Sequence, residues 1–265
     1  MTNDSLLAQA FVADGKADDC PIINTHAHFG PYKAIFFPHC TPERVMMMMN
    51  ETNVRWLIAA AHAALVDTQR GNRAYAEIIA RYPDRLKAYW AINPLYPDRV
   101  VREVAEFDQF PGFVGFKFLS DYYAYPLTGD AYKPALEYAN AHSLPILLHT
   151  WGGSGYDGPD LWPIVAEAYP NVTFLMGHAG YGEWQKASEI ARDYPNVYLE
   201  LTAAYAVRGA LEIMVAVAGS EKITFGDDHP WFDPRYGVGC VLFSHMTDED
   251  RRNILYRNAQ KIFGL

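Results

Sequence analysis

Two histidines two positions apart, His26 and His28, are the residues with the clearest potential for chemistry. They end an apolar run that begins at Ile22. In a β-strand, residues two apart point to the same face, so the two imidazoles would converge on one point. Neutral imidazoles in that arrangement can share a divalent metal ion, whereas protonated ones repel each other. Taken alone, the pair fits the solvated end of a strand equally well.

Other strand-like runs along the chain also carry ionisable residues within them or at their ends. These are Lys117 in Gly-Phe-Lys-Phe, His149 after Ile-Leu-Leu, His178 in Met-Gly-His-Ala-Gly and Asp228 in Phe-Gly-Asp-Asp-His-Pro. A charge at a buried strand end needs a partner, and a divalent cation would pair with most of this set. The six residues together therefore predict a metal site. For Lys117, the alternative is a structural ion pair inside the fold.

Eight strand-like runs must position these residues, and they begin near residues 22, 54, 86, 113, 145, 172, 197 and 223. Helical patterns occupy most of the intervals. Three helix-to-strand joints share a Tyr-Pro-Asp or Tyr-Pro-Asn motif, in which proline ends the helix and Asp or Asn makes the turn. Alternating strands and helices imply parallel strands, and eight such units predict an α/β fold, a (β/α)8 TIM barrel. In this fold the chemistry lies at the C-terminal ends of the strands, where the six residues fall.

We predict a single domain over residues 1–265, with residues 1–20 as an N-terminal extension that contains a short helix near Ser5 to Val12. The last helix should start at Thr247. The run Met46 to Met49 is interpreted as helix packing, because four consecutive residues cannot share one helix face. A doubly wound open sheet is the alternative fold, but no glycine-rich phosphate loop follows the first strand.

Composition excludes several classes of partner. The chain has 265 residues, 50% of them hydrophobic, and its net charge of −9 argues against a nucleic-acid-binding surface. No apolar run approaches the roughly 18 residues of a membrane-spanning helix, so no membrane partner is expected. The three cysteines have no metal-type spacing, and a reduced, cytoplasmic setting is the simplest expectation. The expected partner is a small-molecule substrate.

Taken together, the motifs resemble the amidohydrolase superfamily of metal-dependent (β/α)8 enzymes, in particular its amidohydrolase 2 branch. The similar segments are Asn24 to His28, Gly112 to Phe118, Leu148 to Thr150, Gly177 to Gly180, Phe225 to Pro230 and Asn258 to Ala259. Known members include lactone hydrolases, hydratases and non-oxidative decarboxylases, so the resemblance is specific for family but not for reaction. Two positions depart from the family pattern: Asn24 stands where Asp is usual, and Asp227 where Thr or Ser is usual. We choose Asp228 as the strand-eight acid because it precedes the His-Pro pair.

The resemblance implies that His26, His28, His149 and Asp228 bind a divalent metal ion, with zinc as the expected ion and water in an open position. Zinc lowers the pKa of bound water to about 7 and so provides a hydroxide at neutral pH. Asp228 would act as the catalytic acid–base, taking the proton from this water and delivering it to the leaving group.

Two further residues decide in this scheme whether one or two metal ions bind. His178 would either hold a second ion or contact the substrate as a catalytic residue. Lys117 would be either a free ammonium that binds substrate or a carbamate that bridges two metal ions.

Aromatic residues are abundant in the loops that would form the mouth of the pocket. They are Tyr32, Phe36, Phe37, Tyr122, Tyr123, Tyr125, Trp151, Tyr156, Tyr181, Trp184, Trp231 and Phe232, together with His39. Such a lining suits a flat or ring-shaped substrate, which Trp151 would contact; the same side chains could instead pack a lid or the subunit interface of a homo-oligomer. Arg235 and Arg208 follow late strands and could hold a substrate carboxylate. His62 and His229 are expected to be structural or solvated, although both lie near pocket-side strand ends.

These features lead us to expect a metal-dependent hydrolase that acts on a small organic acid derivative, a lactone, ester or amide, through metal-activated water. The alternative is a metal-dependent non-oxidative decarboxylase of an aromatic or muconate-like acid. In that reaction the metal ion would hold the substrate and Asp228 would protonate the ring carbon. A third possibility is an inactive barrel that serves as a binding protein, which the complete set of six residues argues against.

Overall fold

A computed structural model describes residues 5–32, 35–38 and 40–265. Eight parallel strands form one sheet in the order β1 to β8. The strands are β1 (Ile22–Phe29), β2 (Val54–Ala61), β3 (Leu86–Ala91), β4 (Phe113–Phe118), β5 (Pro145–Trp151), β6 (Thr173–Tyr181), β7 (Val197–Glu200) and β8 (Ile223–Thr224). The predicted (β/α)8 barrel is confirmed, and each strand starts within one residue of its predicted position.

Backbone hydrogen bonds close the barrel between its first and last strands. The amide of Thr25 donates to the carbonyl of Phe225 over 2.8 Å, and the amide of Asp228 donates to the carbonyl of His26 over 2.9 Å. The β8 segment therefore continues along β1 beyond the two residues of regular strand. This pairing brings the acidic end of the β8 segment beside the histidines of β1.

Helices fill the intervals between the strands and cover the outside of the barrel. They are α1 (Leu6–Asp14), α2 (Pro42–Glu51), α3 (His62–Val66), α4 (Thr68–Arg81), α5 (Pro97–Glu106), α6 (Lys133–His142), α7 (Trp162–Ala168), α8 (Trp184–Asp193), α9 (Ala210–Ala218), α10 (Pro234–Phe243), α11 (Asp248–Arg252) and α12 (Asn258–Phe263). The helix expected from Thr247 is interrupted by a π-helical segment, Asn253–Arg257, between α11 and α12. No helix in the described part of the chain is long and apolar enough to cross a membrane.

Local sequence signals account for several helix boundaries. The side chain of Thr41 accepts a hydrogen bond from the amide of Arg44 and caps α2, whose first residue is Pro42. Thr247 and Asp250 form a capping box at the start of α11. Of the methionine run, Met48 and Met49 are buried and Met47 is 40% exposed, as expected for consecutive residues on a packed helix.

The barrel interior separates an apolar floor from a polar upper layer. Ile23, Ile58, Tyr89, Leu147 and Leu175 form one buried cluster that packs against the C-terminal helix through Ala259. Successive inward positions of a strand are two residues apart, so His149 follows Leu147 on the inner face of β5. The floor therefore excludes water from below a layer of ionisable side chains.

Asn72 on α4 fixes the C-terminal end of β3. Its amide nitrogen donates to the carbonyl of Ala91 (3.0 Å), and its amide oxygen accepts from the backbone nitrogen of the same residue (3.1 Å). Asn72 is buried, so both backbone groups of Ala91 depend on this side chain.

Replacement Asn72→Ala should lower the free energy of unfolding by about 2–4 kcal/mol, because two buried backbone groups lose their partners. Chemical denaturation measures the change. The matched control is Asn140→Ala, which removes one surface bond from the amide of Asn171 and should cost less than about 1 kcal/mol. Equal losses for the two variants would contradict this role of Asn72.

Candidate functional site

The six ionisable residues predicted from the sequence lie together at the C-terminal end of the barrel. Lys117 Nζ lies 2.8 Å from His26 Nε2, and His149 Nε2 lies 3.1 Å from His178 Nε2. Asp228 Oδ1 lies 3.1 Å from His28 Nε2 and 3.5 Å from His26 Nε2. The histidines and Lys117 are buried, whereas the side chain of Asp228 is 16% exposed.

Hydrogen bonds on the outer side of the cluster fix the tautomers of three histidines. His26 Nδ1 contacts Glu200 Oε2 (2.5 Å), His28 Nδ1 contacts the carbonyl of Ala60 (3.1 Å) and His178 Nδ1 contacts the carbonyl of Thr202 (3.1 Å). Since carbonyl and carboxylate oxygens only accept, we assign the proton of each neutral ring to Nδ1. Each Nε2 then directs a lone pair into the centre of the site.

These lone pairs face one another, and Lys117 Nζ, 2.8 Å from His26 Nε2, is placed to donate to one of them. Burial lowers the pKa of His178 to about 4 and keeps the pKa values of His26 and His149 well below their ordinary range, so the rings are neutral. Burial alone would raise the pKa of Asp228, but its contact with His28 and the proximity of His26 lower it overall. A carboxylate oxygen and an imidazole lone pair at 3.1 Å are two acceptors, an arrangement that needs a cation.

The donor set fits a divalent metal ion. Asp228 Oδ1 and His149 Nδ1 are buried and make no hydrogen bond to the described residues. Two overlapping groups have ligand atoms within 4.8 Å of one another; they are His26, His149 and His178, and His26, His28 and Asp228. Imidazole nitrogens and a carboxylate oxygen are ligands for zinc, manganese and related ions.

Lys117 occupies the bottom of the same cluster. Its Nζ is positioned to donate to His26 Nε2, and burial lowers the pKa of this amine to about 7, against the opposing charges of Asp228 and Glu200. The side chain is fully buried and is not among the residues that line the cavity above. Lys117 thus contacts His26 below the cavity, and its assignment as a substrate-binding residue or a carbamate ligand stays a prediction.

Glu200 is a member of the site that the sequence reasoning missed. It ends β7, is buried, and accepts hydrogen bonds from the amide and hydroxyl of Thr202 (2.8 and 2.7 Å) besides its contact with His26. Burial raises the pKa of Glu200 to about 7, although His178 and the bonds from Thr202 oppose the shift. An acid at a buried strand end was the signal used for the other members, so the same criterion could have identified it.

The two adjacent acids after β8 face in different directions. Asp227 Oδ1 accepts from the Asn24 amide (2.6 Å) and from the backbone nitrogen of His229 (2.8 Å), and burial raises the pKa of Asp227 to about 7. Asp228 instead faces His26 and His28. The two positions that depart from the family pattern, Asn24 and Asp227, are therefore hydrogen-bonded to each other.

Several backbone positions at the site lie in the left-handed region that favours glycine. The φ angles of His178, Ala203 and Asp228 are 61°, 63° and 63°. Such conformations cost of order 1–3 kcal/mol each for non-glycine residues and persist where the surrounding structure holds them in place. At His178 and Asp228, this backbone directs the side chains into the centre of the barrel end.

An aromatic cavity of about 260 Å³ lies above the ionisable cluster. It is lined by His28, Tyr32, His62, Leu65, Tyr122, His149, Trp151, His178, Ala203, Asp228, Trp231 and Phe232. Trp151 stacks on His178 with ring centroids 4.6 Å apart, which forms one wall of the cavity. Five of the aromatic residues proposed for the pocket mouth, including Trp151, are thus in the lining.

The remaining aromatic candidates do not contribute to this lining. Tyr123 donates to the carbonyl of Leu65, the hydroxyl of Tyr125 accepts from the amide of Ala131, and Phe36 is 87% exposed. His39 lies outside the described residues.

His62, which was expected to be structural or solvated, also lines the cavity. Its ring stacks on His28 (4.8 Å) and on Phe37 (5.3 Å). His62 Nδ1 contacts the carbonyl of Gly30 (2.7 Å), and Trp231 Nε1 donates to His62 Nε2 (3.0 Å). Both ring nitrogens are thus engaged, and burial lowers the pKa of His62 to about 4, so this wall is neutral.

Arg235 is not where the sequence reasoning placed it. It follows the N-cap Asp233 on α10, pairs with Glu51 over 3.4 Å and lines a separate cavity of about 210 Å³. Arg208 is exposed and is also absent from the lining of the aromatic cavity. In this structure the start of α10 directs Arg235 towards α2, and the expected arginine contact to a substrate carboxylate stays a prediction.

Comparison with known proteins gives relatives that are decarboxylases. A γ-resorcylate decarboxylase of Polaromonas sp. JS666 is 24% identical over 285 residues, covering 84% of this chain and 87% of that protein. A 5-carboxyvanillate decarboxylase of Novosphingobium aromaticivorans, solved with manganese and 4-hydroxy-3-methoxy-5-nitrobenzoic acid, has a TM-score of 0.74 at 16% identity, covering 94% of this chain and 97% of the other. A dihydroxybenzoic acid decarboxylase of Polaromonas sp. JS666, with manganese and 2-nitroresorcinol, has a TM-score of 0.70 at 20% identity, covering 92% and 98%.

These relatives correct two expectations. The expected hydrolase reaction is wrong, since the relative and the two solved structures described above are decarboxylases, which was the alternative reading of the same residues. Zinc is not specifically supported either, because the solved neighbours contain manganese. The ligand types present here accommodate both ions.

The family is identified by a family model that matches most of the chain. The model of the amidohydrolase family matches residues 23–265, from the second residue of β1 to the C-terminus. This range contains all six ionisable residues and, apart from Ile22, every strand residue of the barrel. The chain belongs to the amidohydrolase family.

Proposed function

We propose that this protein is a metal-dependent decarboxylase of a small aromatic acid. The observation that carries the proposal is the position of Asp228, a carboxylate among candidate metal ligands that also lines an aromatic cavity. A substrate ring between Trp151 and His62 would present its carboxyl-bearing carbon to this group. The decarboxylases to which the chain is similar support the reaction class.

We propose one divalent ion, manganese or zinc, held by His26, His28, His149 and Asp228. Both candidate ligand groups include His26, whose Nδ1 contacts Glu200 and whose Nε2 has a single lone pair for one ion. When bound, a divalent ion supplies a positive charge that anchors and polarises anionic substrate oxygens. His178 is the remaining nitrogen at the centre and either completes the ligand set or contacts the substrate.

Asp228 is the proposed proton carrier. Decarboxylation of an aromatic carboxylate takes up one proton at the ring carbon; the carbon–carbon bond breaks, its electrons return to the ring, and CO₂ leaves. Asp228 is the only acidic side chain in the described lining of the cavity, so it is placed to take a proton from a substrate hydroxyl and deliver it to the ring. The apolar walls keep water from competing for this proton.

Glu200 and Lys117 would act on this site from beneath. Glu200 holds the Nδ1 proton of His26 and so leaves Nε2 as an acceptor, which the ion would bind in place of its contact with Lys117 Nζ. Lys117 adds a buried positive charge near Asp228 and Glu200, in keeping with its effect on the pKa values around it. We therefore assign both residues to positioning and charge balance, and keep Asp228 as the catalytic residue.

Purified protein supplied with manganese should release CO₂ from hydroxybenzoic acids that carry a hydroxyl beside the carboxylate, such as 2,6-dihydroxybenzoate. Chelation should abolish the release, and added metal should restore it. Isotope-labelled substrate and a CO₂ trap provide the measurement. The proposal is excluded if a panel of such acids yields no CO₂ from metal-loaded protein.

Replacement Glu200→Gln should weaken metal binding about 10- to 100-fold, because a neutral amide supports the Nδ1 proton of His26 less well than a carboxylate. Competition with a chelator measures the affinity. Glu103→Gln is the matched control, since Glu103 is also buried but contacts Thr68 between α4 and α5. A Glu200→Gln variant with unchanged affinity would show that Glu200 does not support the ligand set.

Asp228→Asn should lower the rate of CO₂ release by at least about 10², because general acid–base catalysis is lost while three histidines retain much of the metal. Asp227→Asn should have a far smaller effect, since Asp227 faces Asn24 and the amide oxygen can still accept that bond. Turnover and metal content are measured on the same preparations. Reversed effects would assign the proton transfer to Asp227.

A further inference from the structure

The wall of the cavity above the ionisable cluster carries no positive charge among the described residues. Its outer members are Tyr32, Leu65, Tyr122, Trp151, Trp231 and Phe232, all of them uncharged. His62 completes this wall as a neutral ring, with both nitrogens engaged. The described lining includes no Lys or Arg, and its only fixed charge is the carboxylate of Asp228.

Two cations predicted from the sequence for the pocket make other contacts. Lys117 lies beneath the cavity in contact with His26, and Arg235 pairs with Glu51 in a neighbouring cavity. A substrate carboxylate at the centre would have the metal ion as partner. A second carboxylate, directed at the outer wall, would lose its hydration and gain no cationic partner.

The same wall accepts neutral polar groups. Tyr122 lies at the cavity with its ring 5.0 Å from that of His149, and its phenolic hydroxyl can both donate and accept a hydrogen bond. Hydroxyl and methoxy substituents can bond to such a group without leaving a charge unpaired. A volume of about 260 Å³ lies just below the range of roughly 300–1,000 Å³ typical of ligand pockets and therefore suits a single ring.

We propose that the substrate is an aromatic monocarboxylate with neutral hydroxyl or methoxy substituents, and that the cavity discriminates against a second carboxylate on the ring. This inference rests on the proposed function for the position of the first carboxylate. The discrimination against a second carboxylate is imposed by uncharged residues of the wall, namely Leu65, Trp151, Trp231 and His62.

Three matched compounds test the charge of the outer wall. The first is 2-hydroxy-3-methoxybenzoate; the second is 5-carboxyvanillate, which adds a carboxylate across the ring; the third carries an uncharged carboxamide in that place. The added carboxylate should weaken binding to manganese-loaded protein by about 100-fold or more, whereas the carboxamide, of nearly the same size, should change it by less than about 10-fold. Calorimetry measures binding, and CO₂ release is measured separately.

The outcomes separate this inference from the proposed function. Equal or tighter binding of the dicarboxylate would overturn the inference, even if CO₂ is released from all three compounds. Discrimination without CO₂ release from any aromatic acid would retain the inference on binding and exclude the decarboxylase.

Substitutions in the chain test the charge of the same wall independently. Leu65→Arg should improve dicarboxylate binding relative to monocarboxylate binding by about 10-fold or more, and the uncharged control Leu65→Met should not. Lys33 lies outside the described residues, so Lys33→Gln is tested in parallel. A loss of dicarboxylate binding in Lys33→Gln would reveal a cation at the wall and overturn the inference.

Discussion

The site depends on one electrostatic constraint: neutral imidazoles and a carboxylate turn their lone pairs towards the same buried point. The constraint arises because Glu200, Ala60 and Thr202 occupy the Nδ1 sides of three rings. These partners come from neighbouring strand ends, so the tautomers are fixed only when the barrel is closed. A cation at the centre relieves the repulsion, and folding and ion binding are therefore linked at this end of the molecule.

The barrel also holds the backbone where the chemistry requires it. His178 and Asp228 keep left-handed conformations that a side chain ordinarily disfavours, and the bonds between β1 and the β8 segment keep Asp228 beside the histidines. The apolar floor below supplies a rigid base for this layer. Stability is thus concentrated in the lower half of the barrel, while the upper half carries strain and buried charge.

Much of this could be predicted from local sequence, and the reasons for the failures are physical. Strand starts and the six ionisable residues follow from apolar runs and the two-residue period, which are local properties. Glu200 was missed although it met the same criterion. The positions of Arg235 and His62 relative to the cavity depend on how the loops and α10 pack. The spacing of residues along the chain does not encode that packing. The reaction was misjudged because hydrolysis and decarboxylation use much the same ligands, and the sequence contains no substrate.

The hydrogen bond between Asn24 and Asp227 affects the order in which these two residues could replace the usual family pair. An aspartate at position 24 facing Asp227 would place two carboxyl groups within 3 Å in a buried site, where both cannot be ionised. Asparagine both donates and accepts, so it is compatible with either a hydroxyl residue or a carboxylate at position 227. Starting from the usual family pair, acquiring the amide at position 24 first avoids two facing carboxyl groups, whereas acquiring the acid at position 227 first would require them to share a proton.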